Sequence, residues 1–274
     1  MPPDDFSAAA VHALGTHGLL LFLALLALLL PLATTLWWLA QRYAVRTETS
    51  ALPAGGYLLI RLAAGFAVLV GAAAVFAEIA EELGDGERAG ELDQLFSDAV
   101  RDNTPQAALQ IFAWITRLGD TASLSVLGVA VALVLLVRGR RWLALGWSLA
   151  ISGHALLNPT LKALFERTRP VHEAGLVHAD GWSFPSGHSS GSVVVYGMLA
   201  YVLMHSLPPA LARRASLPLV LLAATLAFSV GCSRIFLQVH FATDVLAGFA
   251  SGTAWLAVCV ASIELSRHYG RPHA

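Results

Sequence analysis

Seven apolar runs, at 18–40, 56–77, 121–137, 142–161, 187–207, 216–232 and 243–263, dominate this sequence. About 20 apolar residues cross a hydrocarbon core as a helix, and about 17 suffice. Each run therefore reads as a membrane span, and the expected fold class is all-α: a polytopic helical membrane bundle. Composition agrees, with 57% hydrophobic and only 13% charged residues where a soluble domain carries about 25% charge. That shortage excludes a disordered chain and a basic nucleic-acid binder, and the net charge of −1 points to no polyanionic partner. Cys232 and Cys259 lie in apolar runs without metal-like spacing, so no disulfide framework is expected. Pro31 leaves the first run open to a second reading, a re-entrant hairpin, although membrane helices tolerate proline. A cleaved signal peptide does not fit, because residues 1–16 hold Asp4 and Asp5 and no basic residue.

Basic residues stay cytoplasmic. With seven crossings, four clusters fall on one side: Arg42, Arg46 and Arg61; Arg138, Arg140 and Arg141; Arg213 and Arg214; Arg267 and Arg271. The N-terminus is then outside and the C-terminus inside. The outer side also receives the only long extramembrane stretch, 79–120. There Glu81, Glu82, Asp85, Glu87, Glu91, Asp93, Asp98 and Asp102 outnumber Arg88, Arg101 and Arg117. Its second half, 105–118, has a loosely amphipathic pattern expected of a helix lying at the outer interface.

Ionisable groups at membrane depth are costly and mark function. Here they gather at three places, all on the outer side. Lys162, Glu166, Arg167 and Arg169 close the fourth run before Pro170. Pro185, Ser186, Gly187 and His188 open the fifth. Ser233, Arg234, His240 and Asp244 stand between the sixth and seventh. Lys162 and Arg169, two turns apart, share a face if the helix continues. Together with Arg234 they supply three cations, a cradle for phosphate, and Lys162 is the chain's single lysine. Ser186 and Gly187 at a helix start add backbone donors and the helix dipole. His240 and Asp244, four apart, fall on one helix face; the carboxylate fixes the imidazole and leaves its other nitrogen to attack. His188 is a second imidazole to protonate a leaving oxygen. A single interfacial arginine is ordinarily an anchor, and a Ser-Gly at a helix start ordinarily a cap. Convergence on one side of the membrane favours a phosphohydrolase.

These three segments, in this order, resemble the signature of the type 2 phosphatidic acid phosphatase superfamily, which includes lipid phosphate phosphatases, undecaprenyl-diphosphate phosphatases and soluble vanadium haloperoxidases. The resemblance covers about 56–263 and implies a six-span phosphatase core plus one extra N-terminal span. The expected organisation is 1–55 as tail, extra span and cytoplasmic connection, and 56–274 as the phosphatase membrane domain. It implies His240 as nucleophile forming a phosphohistidine, Asp244 as its orienting partner and His188 as acid. Lys162, Arg169, Ser186, Gly187 and Arg234 would bind phosphate, with no metal or other cofactor. Glu166 and Arg167 stand at positions the signature leaves open and read as supporting or interface residues. The implied substrate is a lipid phosphate at the outer face of the cytoplasmic membrane, undecaprenyl diphosphate first. Phosphatidate, phosphatidylglycerol phosphate and lipid A phosphate follow, and transfer to a lipid or sugar acceptor is a second class of outcome. A transporter or anion channel would instead spread its charges along a path through the membrane. His154, within the fourth run, is expected to bond a neighbouring helix; His12, His17, His172, His178, His205, His268 and His273 read as tail or loop residues.

Overall fold

A computed structural model describes residues 5–44, 54–84, 87–170, 176–177 and 179–269. Asp4, Arg46, Asp85, His172, His178, Arg271 and His273 lie outside the described residues. Among the described residues ten α-helices follow one another: α1 (Asp5–Thr16), α2 (Gly18–Ala44), α3 (Ala54–Gly84), α4 (Glu87–Asn103), α5 (Gln106–Thr116), α6 (Thr121–Val137), α7 (Arg141–Phe165), α8 (Gly187–Ser206), α9 (Pro209–Phe236) and α10 (Ala242–Tyr269). All seven apolar runs are helical. Among the described residues four helices are long and apolar enough to cross a membrane: α2, α3, α9 and α10. A fifth arises if α5 with its following turn and α6, bent by 42° at the break, form one broken span. The other two runs fall short for a physical reason: α7 carries Arg141, His154, Asn158 and Lys162, while α8 opens on His188, Ser189, Ser190 and Ser192. Of these, Lys162 and His188 belong to the candidate site.

The first run is one uninterrupted helix through Pro31, which removes the hairpin reading. The stretch 79–120 holds more structure than its acidic composition suggests. α3 continues to Gly84, and α4 packs on α1, an N-terminal helix that the run pattern did not indicate.

Helix α8 lies at the centre, packed on α9, α10 and α7. Val194, Val195, Met198 and Val202 are buried in a core shared with Leu124, Leu135, Trp147 and Ala150. Two indoles fasten neighbouring helices: Trp147 Nε1 donates to Gly128 O (2.7 Å) and Trp255 Nε1 to Ala150 O (2.8 Å). A second core joins α5 and α9, where Phe112 and Phe236 stack at 4.2 Å and 7°. Phe22 of α2 stands edge-on to both, at 5.3 and 6.1 Å. His154 Nε2 lies 2.9 Å from Ser190 Oγ on α8, the interhelical bond expected. His12, His205 and His268, by contrast, are helical rather than in tails or loops: α1 precedes the first apolar run, His205 lies in the last turn of α8, and α10 extends past the last run. Both cysteines are free.

Candidate active site

The chain leaving α7 decides where two of the cations stand. α7 ends at Phe165, and Glu166 caps it in the left-handed region (φ 46°), its N–H returning to Lys162 O at 3.0 Å. Proline disfavours a helical conformation in the residue before it, here Arg169, so the helix does not resume. Lys162 and Arg169 therefore do not share a helix face, contrary to the extrapolated register. They meet through the loop ahead of α8. Lys162 Nζ donates to the carbonyls of Trp182 and, at 3.2 Å, Ser183. Arg169 donates from Nε to Gly181 O (2.9 Å) and from Nη2 to Asp180 O (3.0 Å) and Trp182 O (3.2 Å).

His240 also departs from the helical expectation. It stands in the turn 237–241, entered through Gln238 at φ 58°, and α10 begins only at Ala242. The pair with Asp244 forms across the helix start: Nδ1 lies 3.3 Å from Asp244 Oδ2. The same oxygen accepts the N–H of Phe241 at 3.0 Å, the reach-back of a third-position carboxylate that caps a helix. On the other side of the ring, Arg169 Nη1 lies 3.2 Å from His240 Nε2 and donates to Val239 O at 2.6 Å. A guanidinium only donates, so Nε2 is the unprotonated nitrogen and Nδ1 carries the proton toward Asp244. Burial pushes the imidazole down, to about 3, against the pull of Asp244. It is a neutral ring with a lone pair facing a cation. Burial also lowers Arg169 from its usual range, which Asp244 opposes.

Arg167, left unassigned by motif position, ties the pair to the outer stretch. Nη1 donates to Asp244 Oδ1 (2.6 Å) and Thr243 Oγ1 (2.8 Å), and Nη2 to Asp93 Oδ2 (2.8 Å). Its guanidinium lies 4.3 Å over the Phe241 ring. Thr243 Oγ1 also donates to Asp93. Burial raises the Asp93 carboxyl above its ordinary range while Arg167 opposes the shift. One turn along α4, Ser97 Oγ donates to Gln238 Oε1 at 2.8 Å. Thus α4 braces the His240 turn from both ends. Asp93, Ser97 and Val100 are all buried and recur at helical spacing; a carboxylate on that buried stripe was the available signal.

The break between α5 and α6 supplies two further partners. Asp120, the N-cap of α6, places Oδ1 2.9 Å from His188 Nε2. Thr116 Oγ1 accepts from Arg234 Nη1 at 2.6 Å. Arg234 is 2% exposed, and its Nε is buried without a hydrogen-bond partner among the described residues. Gly119 makes this close approach possible: a Cβ there would lie 2.3 Å from Val230 Cγ1 and 3.0 Å from His188 Cδ2. Ser186 is fully buried as the N-cap of α8, its Oγ accepting from Ser189 Oγ at 2.9 Å, while its N–H donates to Asp244 O at 2.9 Å. Gly187 follows as the first helical residue, where a Cβ would lie 2.8 Å from Asn158 Oδ1. The structure thus brings Arg169, His240 and Asp244 into direct contact, with Lys162 sharing the Trp182 carbonyl. Ser186 joins α8 to Asp244, and His188 and Arg234 line the α5–α6 break. Among the described residues no three His, Cys, Asp or Glu side chains converge as a metal set.

Comparison with known proteins places these contacts in context. The family model of the PAP2 superfamily matches residues 141–267. Phosphatidylglycerophosphatase B of Bacillus subtilis (strain 168) is 38% identical over 143 residues, which cover 52% of this chain and 69% of the relative. Glucose-6-phosphatase 3 of Bos taurus is 31% identical over 179 residues, 58% of this chain and 50% of that protein. The crystal structure of the first transmembrane PAP2 type phosphatidylglycerolphosphate phosphatase from Bacillus subtilis superposes with a TM-score of 0.67 at 30% identity, covering 75% of this chain and 98% of that one.

Proposed function

The chain belongs to the PAP2 superfamily, and on that premise we propose that it hydrolyses the phosphomonoester of a membrane lipid, phosphatidylglycerol phosphate first, through a phosphohistidine on His240. The carrying observation is the imidazole held between two groups: Asp244 on Nδ1, and Arg169 on the nitrogen that would attack. In the first step Nε2 bonds to phosphorus as the bond from phosphorus to the lipid oxygen breaks. His188 gives that oxygen its proton. In the second, water attacks the phosphohistidine, His188 takes a proton from it, and inorganic phosphate leaves. Lys162, Arg169 and Arg234 neutralise the phosphoryl oxygens, and the first-turn amide of Gly187 adds a donor. No step requires a metal.

Undecaprenyl diphosphate is the first expectation from sequence. The name of the Bacillus relative supports phosphatidylglycerol phosphate in its place. The arginine clusters support seven crossings with the site at the outer face of the cytoplasmic membrane, and 56–274 as the catalytic domain. Phosphate release from phosphatidylglycerol phosphate, phosphatidate, undecaprenyl diphosphate and lipid A phosphate in detergent, with EDTA present, tests the reading. The highest kcat/KM is expected for phosphatidylglycerol phosphate, with acid-quenched label on His240. Preference for undecaprenyl diphosphate would return the substrate to the first expectation, and absence of labelled histidine would remove the covalent step.

A further inference from the structure

A groove lies away from the catalytic cluster. It occupies about 980 Å³ along the seam of α7 and α10. From Arg141 at its mouth to Lys162 at the site, α7 rises about 31 Å at 1.5 Å per residue, close to the ~30 Å thickness of a bilayer core. The two features therefore face opposite leaflets.

The floor is made by glycine. A Cβ at Gly146 would lie 2.6 Å from the Ile263 side chain, and one at Gly153 2.2 Å from the Trp255 ring, so these two α10 side chains pack directly on the α7 backbone. The walls are apolar, with Leu145, Leu149, Leu156 and Trp255. The mouth is cationic. Arg140, Arg141 and Arg267 line it, and Arg140 caps α7 without a side-chain hydrogen bond, leaving the first-turn amides open to an anion. Arg267 also pairs with Glu264 at 3.6 Å through Nη1, and a guanidinium has further donors to offer. One arginine at an interface is an anchor. Three at the end of an apolar trough, beside an uncapped helix start, make a receptor for a charged head and a long tail.

We propose that this groove binds a diacyl anionic phospholipid of the leaflet opposite the catalytic cluster. The phosphate lies among Arg140, Arg141 and Arg267, and one acyl chain follows the α7–α10 seam. From Arg141 to Leu156 the trough runs about 22 Å, longer than the ~15 Å depth of one leaflet core. Basic recesses between membrane helices select anionic head groups in this way.

Native mass spectrometry of the full chain in neutral detergent tests the assignment. Phosphatidylserine and phosphatidylcholine of matched chains are added separately, with inorganic phosphate as a competitor. Phosphatidylserine is neither substrate nor product of the proposed reaction, so the outcome is independent of that reading. Retention of phosphatidylserine is expected to exceed that of phosphatidylcholine by about five-fold per contributing arginine, and inorganic phosphate is not expected to displace it. Arg140→Gln with Arg141→Gln and Arg267→Gln removes the preference, and Ser152→Trp, which fills the trough and leaves every charge, lowers retention of the lipid. Both variants keep phosphate release from a short-chain substrate within about two-fold, since none of these residues is at the site. Equal retention of the two lipids, displacement by inorganic phosphate, an unchanged preference in the arginine variant, or unchanged retention in Ser152→Trp would overturn the proposal.

Discussion

His188 on the first turn of α8 and Asp120 at the start of α6 meet at 2.9 Å, Nε2 to Oδ1, across the break between α5 and α6. Burial and the Arg234 charge disfavour the imidazolium, and the Asp120 carboxylate offsets part of that loss; the imidazolium is the form needed to protonate a leaving oxygen. Asp120→Asn keeps the shape and removes the charge. kcat is expected to fall about ten-fold, a part of the roughly 10²–10⁴-fold that general acid catalysis contributes. With its acid form less favoured, the alkaline limb of the kcat profile moves to lower pH. A pH–rate comparison of the two proteins checks this; an unmoved alkaline limb would detach Asp120 from the proton transfer.

Arg167 stands between two buried carboxylates, Asp93 and Asp244. Removing the single cation from a buried cluster costs about 3–5 kcal/mol, so Arg167→Gln should lower Tm sharply and activity with it. Burial already raises the Asp93 carboxyl above its ordinary value. A raised folded-state pKa means that stability falls as pH rises through that window, and loss of Arg167 widens the window. The deficit of Arg167→Gln against wild type should therefore shrink between pH 7 and pH 5, and Asp93→Asn added to it should recover part of the loss. Thermal melts in detergent at both pH values decide; a deficit that does not change with pH counts against the charge account.

His240→Gln is expected to leave less than about 1% of turnover, because no other group supplies the covalent intermediate. The variant has a second signature. The His240 pKa is depressed to about 3 by burial, against about 6.5 in an unfolded chain. Between those values the unfolded state holds the extra proton, so wild-type stability declines as pH falls below about 6.5. His240→Gln lacks that proton uptake, and its Tm should vary less from pH 7 to pH 5. Equal pH sensitivity would mean the imidazole is not held neutral.

Arg234→Lys preserves charge and loses the planar fork. Turnover is expected to fall about 10²-fold, the scale of removing one preorganised donor from a transition-state site. Vanadate resembles the phosphoryl transition state and should lose affinity in parallel. EDTA should leave the wild-type rate unchanged. Activity lost on chelation and restored by Mg²⁺ would place a metal in the mechanism.

The bundle was legible because its helices announce themselves as apolar runs, and the family because its motif residues come in three short segments. Two local geometries were not. Extending the α7 register to Arg169 ignored the left-handed turn at Glu166, and a four-residue spacing between His240 and Asp244 is met equally by a turn leading into a helix. The partners from the outer stretch were hidden for another reason. Asp120 is 68 positions from His188, and Thr116 is 118 from Arg234; nothing periodic links residues so far apart, and an acidic stretch gives no sign of which carboxylate turns inward. Gly119 shows the same limit, since its need for close contact arises only once α8 and α9 are in place.

Phe112 and Phe236 stack on each other without help, while Phe22 adds its edge to their wall and stacks on Phe228 at 5.7 Å and 8°. Helix α2 lies outside the segment 141–267 that the family model matches, and aromatic rings hold it to α5 and α9. It is nonetheless no idle ornament, since Phe236 lies two positions from Arg234 and Phe112 four from Thr116. A substitution at Phe22 would be felt first at Phe112 and Phe236, and through them beside the hydrogen bond that joins Thr116 to Arg234.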